Sequence, residues 1–342
     1  MELLNLFDYE RHAKEQMNPA FWDFYAGRND DEIMLRTNRS KFARIHLRPR
    51  LSVDVTQCDT STNVLEAPVR MPIAVAPLSL HCLAYPEGEC ATAQGAEAAG
   101  ALMIASTNAT RSLEEIAQAT SGPLWFHLST FHGYSDVEAE LLQRAYFAGY
   151  RAIVVDAPVM DNREQQTRDA TLMLPPPLVK ANLVGFAQED LRQRSVNWDI
   201  IDWIGLECGL PVLVRGILTV EDAALALEHY VSGIIVSNHG GRQLSSTMTS
   251  IEALPNIVDA VAERCEIYLE GGIRCGTDIL KALALGARAV LVGRPVIWGL
   301  AVDGAHGVQH VLEILQAELE QAMKLAGYST LASVDRTLVL VQ

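Results

Sequence analysis

The 342-residue chain contains no apolar run near the length of about 18 residues that a membrane span requires. Its opening stretch, MELLNLFDYERHAKEQ, is charged by residue 8 and has no apolar core of the kind a secretory leader carries. A basic surplus is missing too. Lys+Arg total 27 against 42 Asp+Glu, a net charge of -15, which argues against nucleic acid or an anionic membrane as partner. Small anionic ligands stay open, because they need only a few local arginines. The six cysteines (Cys58, Cys82, Cys90, Cys208, Cys265 and Cys275) form no Cys-x-x-Cys pair and no zinc-like spacing. His46, His81, His132 and His229 show no H-E-x-x-H pattern, so no metal is expected. The final LVQ is not a peroxisomal address. These absences predict a cytoplasmic protein with reduced thiols.

What is present is a rhythm. From residue 71 onward, short apolar runs alternate with amphipathic segments of ten to fifteen residues. The strand candidates are 71–77, 101–107, 124–129, 152–157, 211–216, 233–238, 266–271 and 289–294. Their continuous apolar character suits parallel strands covered on both faces. Helices between them carry start and stop signals: Ser112 with Glu115 as a capping box, Gly149 and Gly286 as stops. Eight such units predict a (β/α)8 TIM barrel, an α/β fold, and the G-x-G-x-x-G of a dinucleotide-binding sheet is missing. We expect a single domain over 1–342, with an N-terminal helical extension at 1–70 and the barrel at 71–330. Residues 159–200, with Pro175, Pro176 and Pro177, read as a lid loop after the fourth barrel strand.

Barrel chemistry sits at the C-terminal strand ends. Here those ends supply Pro77 and Ser79, Ser106, His127 and Ser129, Asp156 with Arg163 downstream, and Arg215. Ser237, His239 and Arg242 follow, then Glu270-Gly271-Gly272-Ile273-Arg274 and Gly293-Arg294. Buried arginines in such number are costly unless an anion meets them. The last two loops combine glycine N–H groups with Arg274 and Arg294, the usual barrel phosphate site. A lone histidine at a strand end is ordinarily structural. In SNHGGRQLSS (237–246), however, Gly240 and Gly241 allow a close approach to a planar ligand, and Arg242 can fork onto a carboxylate. That set favours a base beside a carboxylate clamp.

The stretches IIVSNHGGRQL, LEGGIRCGTDILKALALGARAVLVGRPV, VAPLSLHCLAYPEGECATAQGAEAAG and NRSKFARIHLRPR resemble the FMN-dependent α-hydroxy-acid oxidase and dehydrogenase family. The resemblance runs from NLFDYE to about residue 330, and is nearest in wording to bacterial, cyanobacterial-type lactate-oxidase-like members. It implies FMN as cofactor and His239 as the base that takes the hydroxyl proton during hydride transfer, or the α-proton in a carbanion mechanism. It implies Arg163 and Arg242 as substrate-carboxylate ligands. Pro77, Leu78, Ser79, Ser106, His127 and Ser237 fall where the family surrounds the isoalloxazine and ribityl. Glu270, Gly271, Gly272, Arg274, Gly293 and Arg294 fall at the ribityl and phosphate end, and Arg215 at the cation facing flavin N1. A homotetramer and reoxidation by O2 to hydrogen peroxide are further implications.

The departures cluster on the substrate side. Phe24 and Ser129 stand where the family usually has tyrosines, removing two hydrogen bonds worth about 1–3 kcal/mol each if buried partners go unpaired. Arg215 stands for lysine, His127 for glutamine, Val154 for threonine and Glu270 for aspartate. The reading is oxidation of an (S)-2-hydroxy acid to a 2-oxo acid. A larger hydroxy- or amino-acid-like substrate of a biosynthetic pathway is the alternative, and a flavin-binding paralogue without turnover the non-enzymatic one.

Overall fold

The structure is a computed structural model that describes residues 3–27, 33–50, 54–131, 136–157, 174–187, 197–242 and 246–341. Arg163 and much of the expected lid lie outside the described residues.

Three helices come first: α1 (Leu6–Gln16), α2 (Pro19–Ala26) and α3 (Ile33–Ser40). Asn5 and Asn18 cap α1 and α2 by accepting from first-turn N–H groups. Residues 1–70 also carry strands: β1 (Ile45–Leu47), β2 (Thr62–Val64) and β3 (Ala67–Val69). The first pairs antiparallel with the strand Val339–Val341, so the segment after α3 is tied to the last described strand.

The barrel strands are β4 (Ile73–Val75), β5 (Leu102–Ser106), β6 (Leu124–Leu128), β7 (Ile153–Asp156), β8 (Val212–Ile217), β9 (Gly233–Ser237), β10 (Glu266–Glu270) and β11 (Ala289–Val292). All neighbours are parallel, and β11 pairs with β4 to close the barrel. Each strand lies within its predicted run or extends it by one residue, as β8 does at Ile217. Between them run α4 (Gly88–Ala99), α5 (Leu113–Gln118), α6 (Asp136–Phe147), α7 (Trp198–Cys208), α8 (Val220–Glu228), α9 (Ser250–Val261) and α10 (Gly276–Ala284). A long α11 (Arg294–Ala326) follows β11.

Alternate residues of the strands point inward. Ala74, Leu102, Ile104, Trp125, Val154, Leu213, Ile235, Tyr268 and Leu291 fill the lumen, so it is a packed core. Val64, Ala67 and Val69 of the β2–β3 hairpin join that cluster. The Leu65 N–H donates to Glu266 at the start of β10, so the hairpin plugs the N-terminal end. Burial there leaves the opposite end for chemistry.

Candidate active site

Four charged or titratable side chains from four strand ends meet at the C-terminal mouth. Register alone sets Asp156 beside Arg215 on neighbouring strands. The Arg215 Nη1 donates to Asp156 Oδ1 at 2.8 Å, while its Nε and Nη2 fork onto Glu270 at 2.5 and 2.8 Å. Ser237 donates to the same Glu270 carboxylate at 2.8 Å. His127 Nε2 lies 3.1 Å from Asp156 Oδ2. Burial favours a neutral Asp156, but His127, Arg215 and His239 outweigh it and keep the carboxyl well below its ordinary range. Glu270 is likewise lowered: burial pushes it up, and Arg215 pulls it further down.

His239 follows β9 in a one-turn segment with φ 53°, an uncommon backbone for a non-glycine residue. Its N–H donates to the Ser237 hydroxyl at 2.9 Å, which fixes the turn. Its Nδ1 is 2.9 Å from Arg215 Nη1 and 3.7 Å from Asp156 Oδ1. Burial, and after it the Arg215 cation, pushes the imidazole pKa down to about 4. The ring is therefore neutral at ordinary pH and able to accept a proton.

The N-terminal helices reach over this end of the barrel. Tyr25 is buried and donates to the Leu80 carbonyl at 2.6 Å, pinning α2 to the loop after β4. The last carbonyls of a helix lack intrahelical partners, and arginines meet them here. Arg242 Nη2 donates to the carbonyls of Phe24 and Tyr25 at 2.7 and 2.6 Å, and Arg294 Nε to that of Tyr25 at 3.0 Å. The Arg242 guanidinium also lies 5.8 Å from the Phe24 ring centroid. α3 adds Asn38, which exchanges two hydrogen bonds with Asn238, the residue before His239. Ser129 is buried and accepts from Asn108 at 3.2 Å.

The loops after β10 and β11 are built for close backbone approach. Gly271 and Gly272 have φ 117° and 84°, and a Cβ on Gly272 would fall 2.3 Å from the Asn38 carbonyl oxygen. Asp278, in the first turn of α10, accepts from the backbone N–H groups of Arg274 and Cys275, fixing the loop. Arg274 is the informative residue. Its Nη1 donates to its neighbour Ile273's carbonyl, and its buried Nε has no partner among the described residues. Burial, with Arg39 nearby, pushes its pKa down to about 10. A partly buried guanidinium with an unused buried donor, and no carboxylate bonded to it among the described residues, fits an anion such as a phosphate. His127 Nδ1 is also buried without a partner among the described residues, a second polar atom that a bound planar ring could satisfy. The residues present therefore fit FMN.

The site residues expected from the sequence, Arg163 aside, come together at one end of the barrel. Pro77, Leu78 and Ser79 follow β4, Ser106 ends β5, and Gly293 with Arg294 open α11. Arg215 differs from expectation in one respect: two carboxylates already meet it, so it does not wait for an anion. Asp156 was visible as a strand end without an assigned part. Asn38, Asn108 and Tyr25 were missed, and nothing in their local sequence marks them.

The family of FMN-dependent dehydrogenases matches residues 13–341. An L-lactate oxidase from Nostoc is 45% identical over 356 residues, covering 97% of this chain and 96% of its own. A human 2-hydroxyacid oxidase 2 is 43% identical, covering 99% of both. A solved structure of mandelate oxidase with (S)-2-phenylpropionate superposes with TM-score 0.91 at 38% identity, covering 100% of this chain and 99% of that one. The chain belongs to the FMN-dependent dehydrogenase family, and it is an FMN-dependent oxidoreductase of the hydroxy-acid oxidase type.

Proposed function

We propose that the protein oxidises an (S)-2-hydroxy acid to the 2-oxo acid, with His239 as the base. The observation that carries this reading is the partly buried His239 imidazole, with Nδ1 2.9 Å from Arg215 and 3.7 Å from Asp156 at the barrel mouth, in the same turn as Arg242. FMN, when bound, supplies the two-electron acceptor for the Cα hydride, with O2 as the final acceptor and hydrogen peroxide as the product.

The chain's own residues do the rest. Arg242, with Arg163, orients the substrate carboxylate, since a guanidinium fork matches two carboxylate oxygens. His239 takes the hydroxyl proton, and Asp156 balances the imidazolium charge. Arg274 and Arg294, with Gly271, Gly272 and Gly293, hold the FMN phosphate end; Glu270 and Ser237 support Arg215 beside the flavin. Pro77, Leu78, Ser79, Ser106 and His127 wall the ring.

A second reading, a bulkier hydroxy- or amino-acid-like substrate, is favoured by Phe24 and Ser129. Neither supplies a phenol, and the Ser129 hydroxyl is engaged by Asn108. Anaerobic addition of glycolate, lactate, mandelate and longer 2-hydroxy acids tests both. Bleaching of the yellow flavin by any of them is expected; bleaching by the large acids alone selects the second reading. A flavin that dithionite reduces and no 2-hydroxy acid bleaches overturns the first.

No helix among the described residues is long and apolar enough to cross a membrane. The proposal extends to a cytoplasmic homotetramer made of single-domain subunits, in which residues 159–200 form a lid over the pocket. Light scattering tests the subunit count.

A further inference from the structure

The hydrogen bond between Arg215 and His239 constrains where the imidazole keeps its proton. A guanidinium has no acceptor atom, so the atom it meets at 2.9 Å must be the acceptor. His239 Nδ1 is therefore bare, and the neutral ring carries its single proton on Nε2. A base that takes a proton at Nε2 needs the opposite tautomer, with the hydrogen on Nδ1 and a lone pair on Nε2. Asp156 is the acceptor that would favour that form. It sits 3.7 Å from Nδ1, beyond hydrogen-bond reach, and its carboxylate is engaged by Arg215 and approached by His127.

We propose that Arg215 is a positioning residue that selects the His239 tautomer, and that the working base forms only when Asp156 replaces Arg215 as the partner of Nδ1. This rests on the reading of His239 as the base. Geometry makes the exchange small. Arg215 is anchored through Nε and Nη2 to Glu270, which leaves Nη1 alone shared between Asp156 and Nδ1. Bringing Nδ1 from 3.7 Å to a normal bonding distance of about 2.8 Å from Asp156 is a ring movement of roughly 1 Å. The proton balance is simple: Nε2 releases one proton to water, Nδ1 gains one, and the ring stays neutral. The hydroxyl proton then arrives at Nε2, and the resulting imidazolium donates from Nδ1 to Asp156.

The groups facing His239 are few. Arg215 from β8 and His127 from β6 disfavour a cationic ring; Asp156 from β7 and Glu270 from β10 favour it. Of these, Arg215 alone donates to Nδ1. A lysine at this position would offer one compact ammonium and no fork, so it cannot grip Glu270 through two nitrogens and reach Nδ1 with a third.

Long-range ¹H–¹⁵N correlation on histidine-labelled, FMN-loaded protein reads the tautomer directly, with His239→Gln assigning the signal. The expected wild-type pattern is protonated Nε2 and bare Nδ1, and Arg215→Lys reverses it. Flavin reduction by a saturating 2-hydroxy acid should then be about tenfold faster in Arg215→Lys, with its acid limb raised by about one pH unit and KM little changed. A wild-type ring already protonated at Nδ1 overturns the proposal, and so does an Arg215→Lys spectrum and pH profile matching the wild type. The spectrum needs no substrate and no variant beyond the assignment, so it decides even if Arg215→Lys misfolds. If no hydroxy acid reduces either protein, the proposed function falls while the tautomer result stands on its own.

Discussion

Gly216 lies directly against the His239 ring: a Cβ on it would fall 2.7 Å from Nε2. The glycine has φ 106° and sits where the pairing of β8 with β9 slips by one residue, between Arg215 and Ile217. Strand irregularities of this kind re-aim side chains beside active sites. Here the slip falls at Gly216, whose missing side chain leaves room for the imidazole.

Gly216→Ala therefore has to push the ring aside. The expected result is retained FMN and a flavin-reduction rate lowered by about 100-fold, the scale of a misplacement near 1 Å. The thermal midpoint should also drop, because alanine disfavours this backbone conformation. Stopped-flow reduction and thermal melts of the same preparation check both.

Arg274 predicts a split between two measurements. Arg274→Met removes an unpaired buried donor from the apoprotein, so apoprotein stability should stay level or rise. If Arg274 holds the FMN phosphate as proposed, the same change removes a charge-assisted bond, and FMN affinity should fall by about 10- to 100-fold. Fluorescence titration of FMN and apoprotein melts separate the two. A structural role alone would lower both.

The barrel was legible in the sequence because its strands are buried on both faces and read as unbroken apolar runs. Capping at Ser112 and Glu115 was legible too, since both partners lie within one turn. The charge network was not. Arg215 stands 59 residues from Asp156 and 55 from Glu270, and only closure of the barrel brings the three together. The contact of Arg242 with the α2 carbonyl at Phe24 spans 218 residues and uses a backbone oxygen, which has no sequence signature. The β2–β3 plug was hidden for another reason: two three-residue strands are too short to show a period.

The pH response follows from the depressed imidazole. With a folded pKa of about 4 against an ordinary 6.5, His239 is neutral through the mid-pH range. Between those values the unfolded chain binds a proton that the folded chain does not, so this ring's contribution to stability is full above 6.5 and falls as the pH drops towards 4. Flavin reduction should hold steady from neutral pH down past 6 and fall only on approaching about 4, as the base becomes protonated. A pH series of kcat/KM, run with melts at each pH, checks the sign of both.

The most direct test of the account is anaerobic reduction of the bound flavin in His239→Gln by the acid that reduces the wild type best. Removing the base while leaving Arg215, Arg242 and the phosphate loops in place should preserve FMN content and slow reduction by about 10²- to 10⁴-fold. A variant that retains FMN and is reduced as fast as the wild type would contradict the assignment of His239 as the base.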